Sequence, residues 1–356
     1  MAFSFGFSGD DIEQDTSDVQ DPGQVEVGDA RDAPPPIEAR THDLDELLST
    51  LPSQLSYSTL TTTSPKGFTA RLPRRDLFDV RLQLMAEDDN SNPAPLTGLD
   101  PHDSLDLLPN IYEGGYKTWE CSIDLVKYLL DRGPRKDLDD LVRVNHVVEM
   151  GCGTALPSLL LWQYALRNKL PLYFSLTDYN ADVLRLVTVP NLVLAWAATV
   201  DATAAPFSDE NPNPLADEAA EDGDLYLSPE ILAAFKSALT AQGIVVTLIS
   251  GSWAPVPHLL SLIPSAPELN TFIIGSETIY SPASLTAFTE AMVELMKRVK
   301  SGKAIVAAKR VYFGVGGSVD GFREECAKRG CVAYEMEFEG LESQGVRRCL
   351  VEVQMY

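Results

Sequence analysis

The sequence predicts a doubly wound α/β fold around a mostly parallel, seven-stranded sheet, and three observations carry that expectation. Short apolar runs alternate with helix-length segments from residue 144 to residue 308. The runs are apolar at successive positions rather than at every second one, as strands covered on both faces require. The chain then closes on two strand-like runs, 331–339 and 348–355, with only a short polar turn between them. Strands separated by helices make βαβ units and a parallel sheet. A closing pair without room for a crossover helix makes an antiparallel hairpin at the sheet edge.

Taken in order, residues 1–50 are acidic, rich in Gln, Gly and Pro, and poor in apolar side chains. They bury too little to offset the entropy of ordering, so a disordered tail is expected. The alternation Phe3, Phe5, Phe7 is either part of that tail or a short docking segment. Residues 51–115 form an N-terminal extension: strands and turns over 55–84, then a polar loop with Pro93, Pro95 and Gly98. The main domain is expected over 116–356 and opens with a helix near 118–130. Core strands are expected at 144–150, 172–177, 244–249, 272–274 and 304–308. Helices are expected at 155–168, 181–198, 231–242 and 284–299. Ser228, Pro229 and Glu230 give the third of these helices a capped start.

The formal net charge is −24. Residues 1–46 hold thirteen acidic and two basic side chains, and 200–224 hold eight acidic and none basic, so nineteen of those charges lie in two segments. The second segment reads as a solvated surface insertion within one crossover. The one basic cluster, Arg71, Arg74 and Arg75, is too small a footprint for free nucleic acid. Five cysteines without a Cys-x-x-Cys pair, and four scattered histidines, offer no zinc spacing. No run approaches the roughly 20 apolar residues of a membrane span. With no signal peptide and an odd cysteine count, a reducing compartment, cytoplasm or nucleus, is expected.

The chemistry clusters where strands end. Glu149-Met150-Gly151-Cys152-Gly153 joins the first core strand to its helix. Ligands of such sheets bind outside the carboxyl ends of the strands, where glycines let backbone amides approach. A dinucleotide loop would want a small residue at position 156. Leu156 stands there instead, so the turn suits the methionine part of a sulfonium cofactor. Asp178, ending the second strand before Tyr179 and Asn180, is either a ribose acceptor or a helix cap, and Asn180 is the better cap. Ser252-Trp253 after the third strand is either a wall for an adenine ring or ordinary core. Glu277 and Tyr280 follow the fourth strand and are candidates for orienting a substrate; Glu277 is alternatively a cap or surface charge. Tyr312, Phe313 and Gly314 follow the fifth strand and either shape a substrate pocket or form a flexible turn.

Several strings together resemble the eukaryotic protein-histidine N-methyltransferases. They are KTWECS at 117–122, EMGCGTALP at 149–157, TDYN at 177–180 with Pro190-Asn191, GSW at 251–253, SETIY at 276–280 and KRVYFGVGGS at 309–318. PRRDLFDVRLQLM at 73–85 and the N-terminal FSFGF add to the likeness, which covers about residues 55–356. The fifth-strand string is the most specific, and the acidic stretch at 200–224 is a departure. The resemblance implies S-adenosyl-L-methionine as cofactor, held by Trp119, Glu120, Ser122, Glu149, Gly151, Cys152, Gly153, Asp178, Tyr179, Asn180, Ser252 and Trp253. It implies methyl transfer to a ring nitrogen of a histidine in large-subunit ribosomal protein L-three. A role in ribosome assembly or translation follows, by a monomer in cytoplasm and nucleus. Glu277 or Glu120 is expected to accept a hydrogen bond from the target ring, with Tyr280 nearby. Protein-lysine methylation and a non-catalytic cofactor-binding adaptor are the competing readings.

Overall fold

The computed structural model describes residues 35–87, 114–133, 144–341 and 346–356. Phe3, Phe5 and Phe7, and the loop with Pro93, Pro95 and Gly98, lie outside the described residues.

The N-terminal part contains β1 (Arg40–His42), α1 (Leu44–Ser49), β2 (Gln54–Thr63), β3 (Thr69–Arg75) and α2 (Leu77–Glu87). The main domain follows with α3 (Glu120–Arg132), β4 (His146–Met150), α4 (Leu156–Asn168) and β5 (Tyr173–Asp178). Next come α5 (Ala181–Val183), a π-helical turn (Leu184–Thr188), α6 (Val189–Ala197) and β6 (Asp222–Tyr226). Then α7 (Pro229–Gln242), β7 (Val245–Ser250), α8 (Val256–Leu262), β8 (Thr271–Ser276) and α9 (Pro282–Met296). The last elements are β9 (Gly302–Lys309), α10 (Val319–Lys328), β10 (Cys331–Met336) and β11 (Arg348–Met355).

The large sheet runs β1-β7-β5-β4-β8-β9-β11-β10. Its centre, β7-β5-β4-β8-β9, is parallel. The closing hairpin is antiparallel, with β11 against β9 and β10 on the edge. The continuous apolar runs have the anticipated cause. Along β9, Ile305 and Ala307 enter one core with residues of α3, α4, α6 and α7, while Ala304, Val306 and Ala308 enter a second core with α8, α9 and α10. β9 thus buries both of its pleated faces. α7 starts as expected, its Ser228 hydroxyl accepting the Ile231 amide at 3.4 Å, and ends at Gly243 with φ +68°.

Two expectations need correction. Disorder through residue 50 does not hold for its last part: β1 pairs antiparallel with β7 and adds an eighth strand to the sheet. α1 follows, capped by Asp43, whose carboxylate accepts the Glu46 amide at 3.0 Å. Few apolar residues suffice here, Ala39, Leu47 and Leu48, because β7 would otherwise present an unpaired edge. The stretch 200–224 is mostly exposed, yet it is not a free-standing insertion. Its end enters β6, the third strand of a small antiparallel sheet β3-β2-β6, which buries Leu55, Tyr57 and Leu72 against the first core. Phe207 and Asn213 anchor the rest, Asn213 Nδ2 donating to the carbonyls of Ala197 and Val200 at 2.7 Å each. Arg71 donates to the carbonyls of Glu218 and Ala220, and Arg75 is buried against Asp79 at 2.6 Å, so two of the three clustered arginines serve the fold. Among the described residues no helix is long and apolar enough to cross a membrane.

Candidate active site

The tips of β4, β5, β7, β8 and β9 share one edge of the sheet, with β4 at the point where successive strands are laid down to opposite sides. That is where open parallel sheets place ligands.

The turn after β4 is built for close approach. Gly151 and Gly153 have φ of +69° and +51°. A Cβ on Gly151 would stand 2.8 Å from Thr278 Cγ2, and one on Gly153 would stand 3.1 Å from the Gly115 carbonyl oxygen. The Cys152 amide donates to the Thr177 carbonyl at 2.8 Å, while its thiol is buried beside Thr188 Oγ1 at 3.7 Å. The π-helical turn carries Thr188 under the loop, and its hydroxyl donates to the Gly153 carbonyl at 2.7 Å. The buried Glu149 carboxylate accepts the Ser158 amide at 3.1 Å through Oε2 and supports the first turn of α4, while its Oε1 has no hydrogen-bond partner among the described residues. Burial pushes this carboxyl up to about 8.

Asp178 meets that turn directly: Oδ2 accepts the Gly153 amide at 2.9 Å and Oδ1 the Asn180 amide at 3.0 Å. Burial pushes its pKa up to about 6. Asn180 begins α5 without a side-chain cap bond; its Nδ2 donates to the Gly114 carbonyl at 2.8 Å, drawing the Gly114–Gly115 backbone over the same carboxylate. Tyr179 OH accepts the Ile37 amide at 3.1 Å, and the Ser252 amide donates to the Ile37 carbonyl at 2.8 Å. Residues 37–42 therefore strap the tips of β5 and β7 together. Gly251, φ +108°, makes the crossing possible, since a Cβ there would stand 2.6 Å from the Glu38 oxygen. Trp253 is partly buried; its Nε1 donates to Thr177 Oγ1 at 3.3 Å and its ring packs on Phe288 at 5.5 Å.

The second half of the site lies at the tips of β8 and β9. Glu277 holds φ +58°, a conformation costly for a residue with a side chain and characteristic of functional sites. Ser281, not Glu277, caps α9, accepting the Ser284 amide at 3.1 Å. The Glu277 side chain is only 8% exposed, with Oε2 3.3 Å from Lys309 Nζ. Its buried Oε1 has no hydrogen-bond partner among the described residues. The Cys121 thiol and the Tyr312 hydroxyl flank it, and both are pushed well above their ordinary pKa values, by burial first and then by the Glu277 charge. Lys309 Nζ also sits 4.0 Å from Glu120 Oε2 and 4.9 Å from the Trp119 ring centroid.

The expected residues thus sort by position. Gly151, Gly153, Asp178, Tyr179, Asn180, Ser252 and Trp253 lie at the tips of β4, β5 and β7, and Trp119, Glu120, Glu277 and Tyr312 gather around Lys309 at the tips of β8 and β9. Ser122 turns inward, its hydroxyl donating to the Trp119 carbonyl at 2.7 Å within the first turn of α3. Tyr280 is partly buried, and its carbonyl accepts the Gly317 amide at 2.9 Å. The loop after β9 is braced, not slack: the Tyr312 amide donates to the Gly317 carbonyl at 2.9 Å. It presents Phe313, 85% exposed, beside Gly314, so Phe313 lines no closed pocket. Sequence reasoning missed Lys309, the strap and Gly115. Lys309 stood inside a quoted string without a role, and the strap had no signal beyond a few apolar residues in an acidic stretch.

No family model matches the chain. Histidine protein methyltransferase 1 of Saccharomyces cerevisiae is 39% identical over 347 residues, covering 90% of this chain and 89% of that protein. The protein of the same name from Schizosaccharomyces pombe is 34% identical over 329 residues, covering 92% and 85%. A histidine protein methyltransferase 1 homolog of Mus musculus is 30% identical over 248 residues, covering 70% and 58%. With identities of this size over nine-tenths of its length, and with this strand order, the chain belongs to the histidine protein methyltransferase 1 family and is an S-adenosylmethionine-dependent methyltransferase.

Proposed function

We propose that this enzyme methylates a ring nitrogen of one histidine in large-subunit ribosomal protein L-three. It acts as a monomer, in cytoplasm and nucleus, in ribosome assembly or translation. The observation that carries the reading is the Glu277 carboxylate, held in a strained backbone conformation with one buried oxygen lacking a donor among the described residues. A buried acceptor without a donor is costly, and an imidazole N–H is a donor of the right kind.

The tips of β4, β5 and β7 fit the cofactor. The turn after β4 runs through two positive-φ glycines packed too closely on Thr278 and Gly115 to carry side chains, which leaves backbone exposed there, and Asp178, with two amide donors, keeps acceptor capacity for hydroxyl groups. Gly151, Gly153, Asp178, Tyr179, Asn180 and Trp253 are the residues that would hold it. S-adenosylmethionine supplies a methyl group activated by a sulfonium. A neutral imidazole, with an ordinary pKa of about 6.5, already carries a lone pair at neutral pH. The enzyme's task is therefore orientation more than deprotonation. Glu277 Oε1 accepts the N–H of the nitrogen that is not methylated, which fixes the tautomer, and it remains beside the ring as that ring becomes cationic. Glu120, its side chain 60% exposed, stands at the mouth.

The lysine reading is less well supported, for a specific reason. An incoming ammonium must lose a proton, but Glu277 is already paired with the enzyme's own Lys309. A second ammonium there meets repulsion and a carboxylate poorly placed to act as a base. The deciding assay is transfer of labelled methyl from the cofactor to purified ribosomal proteins, with the modified residue identified by mass spectrometry. Label on a histidine of L-three is expected. Label on lysine, or no label despite tight cofactor binding, would overturn the proposal.

A further inference from the structure

We infer that Lys309 is the positioning residue of the methyl-acceptor site, a single ammonium that holds Glu277, Glu120 and the Trp119 ring in the arrangement the target ring enters. This rests on the reading of Glu277 as the acceptor of the target's N–H.

Side chains from three elements converge on one atom. Lys309 Nζ, at the end of β9, lies 3.3 Å from Glu277 Oε2 after β8 and 4.0 Å from Glu120 Oε2 at the start of α3. It also lies 4.9 Å from the Trp119 ring centroid and 6.0 Å from that of Tyr312. The Lys309 side chain is 20% exposed, so water screens these interactions only in part. An ammonium offers three donors and attraction to a ring face, and this position uses both.

The consequence for Glu277 is geometric. Its carboxylate is surrounded by Lys309 from β9, Cys121 and Glu120 from α3, and Tyr312 from the following loop. Lys309 engages Oε2 and leaves Oε1 without a partner among the described residues. The Tyr312 hydroxyl and the Cys121 thiol already lie within reach of the Glu277 carboxylate; without the ammonium, Glu277 and Glu120 repel one another, and the carboxylate turns fully onto either. Either turn satisfies the oxygen that otherwise waits for the target ring. Lys309 thus acts through Glu277, by keeping its acceptor unfilled and aimed.

The backbone of Lys309 is held independently of its side chain, by pairing with Arg348 of β11, so side-chain substitutions leave the sheet intact. The test is a double-mutant cycle on the full chain, with single-turnover and steady-state kinetics on the methylated ribosomal protein and calorimetry with S-adenosylhomocysteine. Lys309→Met is expected to lower kcat by about tenfold to a hundredfold, up to the cost of misplacing a catalytic group by about 1 Å, with product-cofactor affinity within about twofold of the parent. Lys309→Arg is expected to restore most of the rate. Adding Lys309→Met to Glu277→Gln is expected to cost nothing further, because residues acting as a unit are not additive. The inference is overturned if Lys309→Met leaves kcat unchanged, if its effect multiplies with that of Glu277→Gln, or if cofactor affinity falls in step with the rate. Label appearing on lysine would overturn the histidine reading alone, since the same cycle on that substrate still decides whether Lys309 acts through Glu277.

Discussion

The amide of Gly153 donates to Asp178 Oδ2 at 2.9 Å, joining the turn after β4 to the tip of β5 through one buried bond. The two residues proposed to hold the cofactor therefore position each other, and a change at one moves both. Gly153→Arg is expected to abolish cofactor binding. A side chain there meets the Gly115 backbone at 3.1 Å, and a φ of +51° disfavours any Cβ. Calorimetry with S-adenosylhomocysteine checks this; unchanged affinity would mean that the cofactor lies elsewhere.

Glu149 makes stability depend on pH. Burial raises its carboxyl from 4.5 to about 8, so between those values the unfolded chain releases a proton that the folded chain keeps. Stability contributed by the protonated group is present at low pH and is lost as pH rises, by up to about 4 kcal/mol at pH 8. Glu149→Gln removes the titrating group while keeping an acceptor for Ser158. Its melting temperature should fall less than the parent's between pH 5.5 and 8.5, and parallel curves would refute the assignment.

The strap is expected to serve the cofactor. Deleting residues 1–42 removes the bonds from Ile37 to Tyr179 and Ser252 and leaves β7 as an edge. A loss of about tenfold in affinity for S-adenosylhomocysteine follows from two hydrogen bonds of ordinary strength. Gly251→Ala should act in the same direction in the full chain, by pushing the strap away at Glu38. Equal affinity in both variants would reduce the strap to an edge cover.

Deleting residues 200–224 should separate stability from binding. Loss of β6 pairing, of buried Phe207 and of the Asn213 bonds is expected to cost about 2–4 kcal/mol, read as a lower melting temperature. Cofactor affinity should stay within about twofold. A tenfold loss of affinity would mean that the small sheet shapes the cofactor site.

Much of the main domain was legible because its signals were periodic and redundant. The strands from 144 to 308 were apolar on both pleated faces, and one helix between them, α7, carried a start signal at Ser228. Gly151, Gly153 and Asp178 were legible because strand-end chemistry sits at fixed places in such sheets. That Glu149 Oε2 supports the start of α4 was not legible, because adjacency in sequence does not tell which way a strand carboxylate faces. β1 and β6 were not legible because each is short and polar and pairs with a partner far along the chain, a relation that no local window contains. Lys309 was missed for a related reason: its meaning lies in three neighbours drawn from three separate elements.

The bond from His42 to Ser250 spans 208 residues, which gives β1 an unusual history during synthesis. At about 5–20 residues per second, that segment leaves the ribosome roughly 10–40 seconds before its partner strand exists. The earliest described strand to be made must wait for β7, the third of the five parallel strands. On a nascent chain the strap stays undocked until the first two parallel strands, β4 and β5, and then β7 have been made, so the strapped arrangement becomes a property of the later part of synthesis.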